Sequence, residues 1–292
     1  MPDLEIENRE QIADWVETTL LARKRPIGRT TLVRCAEHDC ALSEPSLASG
    51  IQVMRNRART LGDDYPFEVS DIAVRPRESA STSIYQALLL LSPGSPYRQL
   101  IAPKPTSDMA VLFEQITVEA TKQLLGSNSD ALRFGWPSDE GRPERFSDAI
   151  EWLAKRMGVE SGTAFRPPKR KDGGVDVVAW RSFPDGRKGF PVTLVQCTLQ
   201  RDIVPKSRDI DLRIWAGWLT LEVDPLVILA VPGTVESTED WNEIAVRSLI
   251  LDRIRITGLV NHLDVSSFEL AERFTERGLT ELGDHLSGVE VT

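Results

Sequence analysis

The chain has 292 residues, of which 41% are hydrophobic and 27% charged, and its 35 Lys and Arg against 44 Asp and Glu give a formal net charge of −9. This is the composition of an ordinary globular protein with enough apolar material for a core, so wholesale disorder and fibrous repeats are excluded. The length predicts one large domain or two of modest size. Three cysteines are an odd number, and a chain of this size needs no disulfide framework.

No segment has the length and apolar character of a membrane helix. The longest uninterrupted apolar runs cover residues 87–91 and 226–231, whereas a membrane-spanning helix needs roughly 20 residues. The first ten residues are acidic and lack the basic and apolar regions of a signal peptide. We therefore expect a cytoplasmic protein with no membrane partner.

The first hundred residues alternate between helix and strand patterns. Helical spacing of apolar residues occurs in 9–22, 47–61 and 83–91, and strand patterns occur in 30–35 and 67–74. Four prolines between residues 93 and 105 are typical of a boundary between modules. The sequence therefore predicts a separate α+β module over residues 1–105. We expect this module to bind a regulatory protein partner or to regulate the rest of the chain.

The remainder, residues 106–292, is predicted to form a second domain. Helices are expected at 109–125, 144–157, 207–221 and 241–253, and strands at 175–180, 191–200 and 225–232. A hairpin connection at 183–189 joins the first two of these strands. This order of elements predicts an α/β sandwich with a mixed sheet.

Candidate chemistry lies in Asp172-Gly-Gly-Val-Asp176 and in the following strand. An acid inside an apolar strand is costly to bury unless a cation compensates it, and Asp176 is such an acid. Because the hairpin pairs the two strands, Asp176 and Gln196 are expected to meet at one oxygen-rich point, which suits Mg²⁺. Two other interpretations remain open. Asp176 could cap a turn or pair with Lys171 or Arg181, and Gln196 could be an ordinary strand amide.

These residues resemble the PD-(D/E)XK restriction-endonuclease-like superfamily, particularly its Mrr-like branch, over about residues 110–235. The resemblance implies a restriction-endonuclease-like sandwich core in which Asp176 is the acid that ends one strand and Gln196 begins the pair on the next. Thr198 stands where the family has its lysine. Members sometimes supply that lysine from the adjacent helix, a role that Lys206 could fill, and often add a glutamate from a preceding helix, for which Glu114 is the candidate.

The resemblance implies metal-dependent phosphodiester hydrolysis by an endonuclease, with Mg²⁺ or alternatively Mn²⁺ held by Asp176, Gln196 and Glu114. It favours DNA over RNA and a role in defence against phage or foreign DNA. Charge supports a nucleic-acid partner, because residues 166–213 contain eleven Lys and Arg against six acids. The candidate nucleic-acid contacts are Lys169, Arg170, Lys171 and Arg201, although Lys169-Arg-Lys could equally be a solvated loop.

Two other classes of function remain open. The chain could be a nuclease-like fold that has lost catalysis and binds nucleic acid or a protein partner, which Thr198 makes credible. It could also be a regulatory or assembly protein, with or without homo-oligomer formation. Trp215 and Trp218 could stack on bases, but their i, i+3 spacing favours packing in a helix face.

Overall fold

The structure is a computed structural model that describes residues 4, 6–77, 83–101, 104–138, 140–166, 171–236, 238–260 and 266–287. The chain divides into two compact units. Unit 1 comprises Met1–Met109, Pro232–Glu236 and Asp252–Thr292, and unit 2 comprises Ala110–Val231 and Ser237–Leu251. Each unit is described by itself below.

The elements up to residue 101 all belong to unit 1. In chain order they are α1 (Arg9–Arg23), β1 (Ile27–Gly28), α2 (Arg29–Cys40), α3 (Glu44–Leu61), β2 (Phe67–Val69), β3 (Ala73–Pro76), α4 (Ser83–Leu91) and α5 (Arg98–Ile101). A short 3₁₀ turn, Gly62–Asp64, follows α3.

The remaining elements form unit 2 and the end of unit 1. In chain order they are α6 (Ser107–Leu125), β4 (Asp130–Arg133), α7 (Phe146–Met157), β5 (Glu160–Ser161), β6 (Val177–Trp180), β7 (Val192–Cys197), α8 (Leu212–Trp218), β8 (Leu219–Thr220), β9 (Leu226–Ala230), α9 (Glu239–Ala245), β10 (Leu249–Leu251), α10 (Arg253–Val260) and α11 (Ser266–Ser287). A 3₁₀ turn, Pro205–Arg208, precedes α8.

Unit 1 packs helices against a small antiparallel sheet with the strand order β1-β3-β2. The predicted strand at 30–35 is wrong, because these residues lie in α2. Leu32, Cys35 and Ala36 are buried at helical spacing, so packing overrides the strand preference of the Thr-Thr-Leu-Val run. The caps support the helices: Asn8 accepts from the backbone N–H of Gln11 at 2.9 Å at the start of α1.

A buried cluster of ionised groups joins the segments of unit 1. Arg57 on α3 donates through Nη1 to Asp14 at 2.8 Å and Glu17 at 2.7 Å, and through Nη2 to Glu10 at 2.6 Å. Arg253 at the start of α10 donates to Asp14 at 2.5 Å. The two guanidinium groups therefore tie α3 and α10 to the three carboxylates of α1, and burial makes these partners obligatory.

The sheet of unit 2 has five strands in the order β10-β9-β7-β6-β4. The strands β7, β9 and β10 are parallel, and β6 and β4 join them in antiparallel pairs. Apolar residues of α7, α8 and the central strands pack into one core. The mixed α/β fold predicted from the sequence is confirmed, although the edge strand β4 and the short strand β10 were not predicted.

The division into units differs from the predicted domains. The prediction assigned the whole of residues 106–292 to the second domain, whereas Asp252–Thr292 belongs to unit 1. The predicted helix at 241–253 is in fact α9, the sheet strand β10 and the start of α10. The physical reason is the salt bridge between Arg253 and Asp14, which fixes α10 to the first helix of the chain.

Within the described part of the chain, no helix combines the length and the apolar character needed to cross a membrane.

Candidate active site

Asp176 lies immediately before β6 and is held by backbone hydrogen bonds to both neighbouring strands. Its N–H donates to the carbonyl of Val195 at 2.8 Å. Its own carbonyl accepts from Phe134 N–H at 2.7 Å and Gly135 N–H at 2.9 Å. These hydrogen bonds extend the sheet pairing to Asp176 and fix the backbone position from which its side chain projects.

The side chains of Asp176 and Gln196 meet across this pair of strands. Val177 pairs with Val195, so the residues before and after them become neighbours. Gln196 Nε2 donates to Asp176 Oδ2 at 2.8 Å and to the carbonyl of Cys197 at 3.0 Å, and Cys197 N–H donates to the same Oδ2 at 2.7 Å. Because both partners of Nε2 are acceptors, the orientation of the amide is well defined.

Each of these two side chains keeps one oxygen atom available for a ligand. Within the described residues, Oδ1 of Asp176 and Oε1 of Gln196 accept no hydrogen bond from the protein. A carboxylate oxygen and an amide oxygen are both ligands that Mg²⁺ accepts. The pair therefore offers a minimal oxygen donor set at the end of two central strands.

The turn before Asp176 requires its two glycines. Gly173 and Gly174 have φ values of 71° and 81°, a region that glycine adopts without strain. A Cβ atom on Gly174 would lie 2.5 Å from the carbonyl oxygen of Asp209. The carbonyl of Gly173 accepts from Nε1 of Trp215 at 3.2 Å. The Asp-Gly-Gly turn is thus packed against the segment that follows β7, and it sets where Asp176 enters the sheet.

Glu114 projects from α6 toward the same end of the sheet. Arg133, at the end of β4, donates through Nε to Glu114 Oε2 at 2.7 Å, and a Cβ atom on Gly135 would lie 3.0 Å from that oxygen. Glycine at position 135 therefore leaves room for the carboxylate of Glu114. Arg133 balances its charge from the adjacent strand.

Burial, and after it the neighbouring charge of Glu114, raise the pKa of Asp176 to about 8. The Cys197 N–H lowers the pKa, Asp172 raises it, and the Lys206 ammonium lowers it. A carboxylate whose ionisation is opposed by burial and by a neighbouring carboxylate is one that a bound cation would stabilise in its charged form. Perturbed carboxylates of this kind are common at functional sites.

Lys206 lies in the 3₁₀ turn Pro205–Arg208, and its charge reaches Asp176. Its Nζ forms a salt bridge with Asp209 Oδ2 at 2.9 Å. Thr198 is buried and does not replace the lysine, because its Oγ1 accepts from Gln200 N–H at 3.1 Å and stabilises the turn after β7. Of these two residues, Lys206 is the one that places a positive charge near Asp176.

Cys197 lies between the two candidate ligands in the chain but is unsuited to nucleophilic chemistry. Burial raises the pKa of its thiol well above the usual value, and the charges of Asp176 and Glu114 raise it further. The thiol therefore stays protonated at neutral pH. What Cys197 contributes to the site is its backbone N–H.

Arg133 was not among the site residues predicted from the sequence. It belongs to β4, a strand of four residues that was not predicted either. The turn signal at 126–129 followed by Asp130-Ala-Leu-Arg was the available indication of a strand. A strand at that place would have put Arg133 within reach of a central carboxylate.

The candidate nucleic-acid contacts are described only in part. Lys169 and Arg170 lie outside the described residues. Lys171 and Arg201 are exposed. The backbone carbonyl of Lys171 accepts from Nη2 of Arg142, whose guanidinium also lies 4.5 Å from the ring centre of Phe134. Arg142 therefore links the Lys171 segment to the loop after β4.

The donor set fits a magnesium ion better than a metal held only by protein ligands. The described residues contain no group of three or more His, Cys, Asp or Glu that could hold a metal. Mg²⁺ keeps several waters and is commonly held by one or two carboxylates together with substrate phosphate. Asp176 and Gln196 would offer two oxygen ligands to such an ion, with the charge of Glu114 nearby.

Comparisons with known proteins do not identify a family. No family model matches the chain, and no curated protein matches its sequence. Among solved structures, the chain is similar to the restriction endonuclease MspJI in complex with a 27-mer oligonucleotide, with a TM-score of 0.25 and 11% sequence identity. The match covers 64% of this chain and 38% of that one. A match at this level does not indicate a function for this chain.

Proposed function

We propose that unit 2 is a magnesium-dependent nuclease that hydrolyses phosphodiester bonds. The observation that carries the proposal is the meeting of Asp176 and Gln196, whose Oδ2 and Nε2 atoms lie 2.8 Å apart at the end of two central strands. The carboxylate of Asp176 is partly buried, and the charge of Glu114 acts on it. A divalent cation would turn this unfavourable pair of carboxylates into a binding site.

In this mechanism Asp176 Oδ1 and Gln196 Oε1 would hold the ion, and Glu114 would add a carboxylate on the α6 side. The chemistry that Mg²⁺ would supply there is polarisation of a phosphate oxygen and a lower pKa for a coordinated water. The hydrogen bonds from Gln196 Nε2 and Cys197 N–H keep the Asp176 carboxylate in one orientation. Lys206 offsets part of the negative charge that develops on the phosphate.

We further propose that the substrate is DNA and that the activity serves defence against foreign DNA. The support is the resemblance of Asp176 and Gln196 to the PD-(D/E)XK pattern of the Mrr-like branch, together with the excess of basic residues between 166 and 213. An acidic chain that concentrates positive charge in the segment around its candidate site favours a polyanionic substrate.

The test is a cleavage assay on supercoiled DNA, linear DNA and RNA, with Mg²⁺ or with EDTA. We expect Asp176→Asn to abolish Mg²⁺-dependent cleavage. The matched control is Asp185→Asn, because Asp185 is an exposed aspartate in the hairpin between β6 and β7. Cleavage that survives in Asp176→Asn would contradict the proposal.

A second candidate function is a nuclease fold that binds nucleic acid without cutting it. Two observations favour it: Thr198 occupies the lysine position and is engaged in a turn, and Lys206 is bound to Asp209. Binding of DNA by the wild-type chain without cleavage in Mg²⁺ or Mn²⁺ would select this candidate over the nuclease.

A further inference from the structure

Residues 27–77 of unit 1 form a helix-turn-helix flanked by a β-hairpin. The helices α2 and α3 are separated by three residues, 41–43, in which Ala41 adopts a left-handed conformation. The hairpin β2–β3 follows α3, and β3 also pairs with β1 directly before α2. A turn of this length between two helices is typical of the helix-turn-helix, whose second helix enters the major groove of DNA.

The rotation of α3 about its axis is fixed by its contacts with α1. A Cβ atom on Gly50 would lie 2.4 Å from the side chain of Ile12, so the two helices approach closely at this residue. About two helical turns beyond Gly50, Arg57 is held by the carboxylates of α1. These two anchors determine which residues of α3 face outward.

The outward face of α3, which we call the α3 face, consists of Gln52, Arg55, Asn56 and Arg59. Gln52, Asn56 and Arg59 are exposed, and the side chain of Arg55 is 36% exposed. After Glu44, the helix contains no acidic residue. Arginine pairs with guanine, and asparagine and glutamine pair with adenine, through two hydrogen bonds in the major groove. The α3 face thus combines base-reading side chains with positive charge.

We propose that the α3 face binds double-stranded DNA by entering its major groove. An α-helix fits this groove, which is about 12 Å wide. The partner follows from charge complementarity, because the acids beside the face are already paired: Glu44 with Arg29 at 3.0 Å and Asp71 with Arg55 at 2.6 Å. This DNA site lies in unit 1 and does not depend on the proposed nuclease activity.

Asp71 in the hairpin turn gives the proposal a sharp test. Its side chain is almost fully exposed, and its carboxylate forms a salt bridge with the guanidinium of Arg55. Asp71→Asn would remove a negative charge beside the DNA and release Arg55. We expect this variant to bind duplex DNA more tightly than the wild-type chain, a gain that misfolding cannot produce.

The experiment measures fluorescence anisotropy of a labelled random-sequence 24-base-pair duplex with the full chain in EDTA, which prevents cleavage. We expect Arg59→Ala to weaken binding about fivefold or more. Its matched control is Arg273→Ala, since Arg273 is an exposed arginine on α11 of the same unit. Selection of preferred duplexes from the random pool should give a different sequence for Gln52→Ala and Asn56→Ala.

The outcomes separate this proposal from the nuclease proposal. Asp176→Asn should keep the duplex affinity of the wild-type chain while losing cleavage. The inference is overturned if Arg59→Ala binds as tightly as Arg273→Ala, or if Asp71→Asn leaves the affinity unchanged. Unchanged circular dichroism and melting temperatures in these variants exclude loss of folding as the cause.

Discussion

Gln196 Nε2 donates to Asp176 Oδ2 at 2.8 Å, and the same carboxylate oxygen accepts from the N–H of Cys197 at 2.7 Å. One oxygen of Asp176 therefore accepts two hydrogen bonds from within the sheet, and the other accepts none from the described residues.

The first prediction concerns stability and pH. Burial and Glu114 raise the pKa of Asp176 to about 8 in the folded state, against an ordinary value near 3.8 when unfolded. As pH rises between these values, the unfolded chain loses the proton first, so folding becomes less favourable until Asp176 ionises in both states. We expect Asp176→Asn to raise the free energy of unfolding by up to a few kcal/mol at pH 9.

Urea unfolding at several pH values measures this effect. The difference between Asp176→Asn and the wild-type chain should shrink toward pH 4, where the aspartate is protonated in the folded protein. Asp185→Asn provides the control, since its exposed side chain should give no comparable pH dependence. A gap between wild type and Asp176→Asn that is the same at pH 4 and pH 9 would argue against a buried, protonated Asp176.

The second prediction concerns metal binding without catalysis. A ligand that binds only the folded state stabilises it, and the stabilisation grows with the logarithm of the free ligand concentration once that exceeds the dissociation constant. Millimolar Mg²⁺ should raise the melting temperature of the wild-type chain and of Asp185→Asn, but not of Asp176→Asn. Thermal melts with and without Mg²⁺ provide the measurement. An equal shift in all three proteins would show that the ion binds at a site other than Asp176.

The third prediction concerns the ion pair between Arg133 and Glu114. The Arg133 side chain is only 4% exposed, so Arg133→Met would leave the Glu114 carboxylate partly buried without its Nε donor. We expect a loss of about 3 kcal/mol in the free energy of unfolding. Adding Glu114→Gln should recover part of this loss, which a double-mutant cycle would detect. Strictly additive effects would mean that the two residues do not interact.

The fourth prediction concerns the turn before Asp176. Gly174→Ala would place a Cβ atom 2.5 Å from the Asp209 carbonyl and would also strain a backbone with φ of 81°. Gly186 is the matched control, because its φ is 65° but no atom lies within 4 Å of a Cβ atom there. We expect Gly186→Ala to cost about 1 kcal/mol, from backbone strain alone. Gly174→Ala should lower the free energy of unfolding by more than this and should also abolish cleavage. Equal losses in the two variants would show that position 174 is not closely packed against Asp209.

The fifth prediction compares two arginines of α3 that are two residues apart. Arg57→Met removes a buried partner of three carboxylates and should destabilise the chain by about 3 kcal/mol or more. Arg59→Met changes an exposed side chain and should alter stability by less than about 0.5 kcal/mol. Chemical denaturation of both variants checks the contrast, and similar stabilities would refute the assigned rotation of α3.

The sequence was most informative where contacts are local. Asp176 and Gln196 are joined by one hairpin, so alternation along two strands was sufficient to bring them together. Glu114 was placed by the helical spacing of its neighbours on α6. In α2, by contrast, β-branched residues favoured a strand, and only burial of Leu32, Cys35 and Ala36 against the rest of unit 1 makes the segment helical.

Long-range contacts account for what the sequence did not predict. Arg133 reaches Glu114 from an edge strand of four residues, too short for its pattern to be decisive. Arg253 bonds Asp14 across 239 positions of the chain. No local pattern near residue 253 indicates that its partner lies on the first helix.

Unit 2 is interrupted once and is enclosed in sequence by segments of unit 1. A truncated chain that begins at residue 106 would therefore retain α10 and α11 while losing α1 and α4, against which these helices pack. Arg253, Ile256 and Leu282, which are buried in the whole protein, would then face water. Separating the two units therefore calls for excision of the inserted stretch and joining of the two ends of unit 1 that remain, because a cut at any single point of that stretch leaves unit 1 divided.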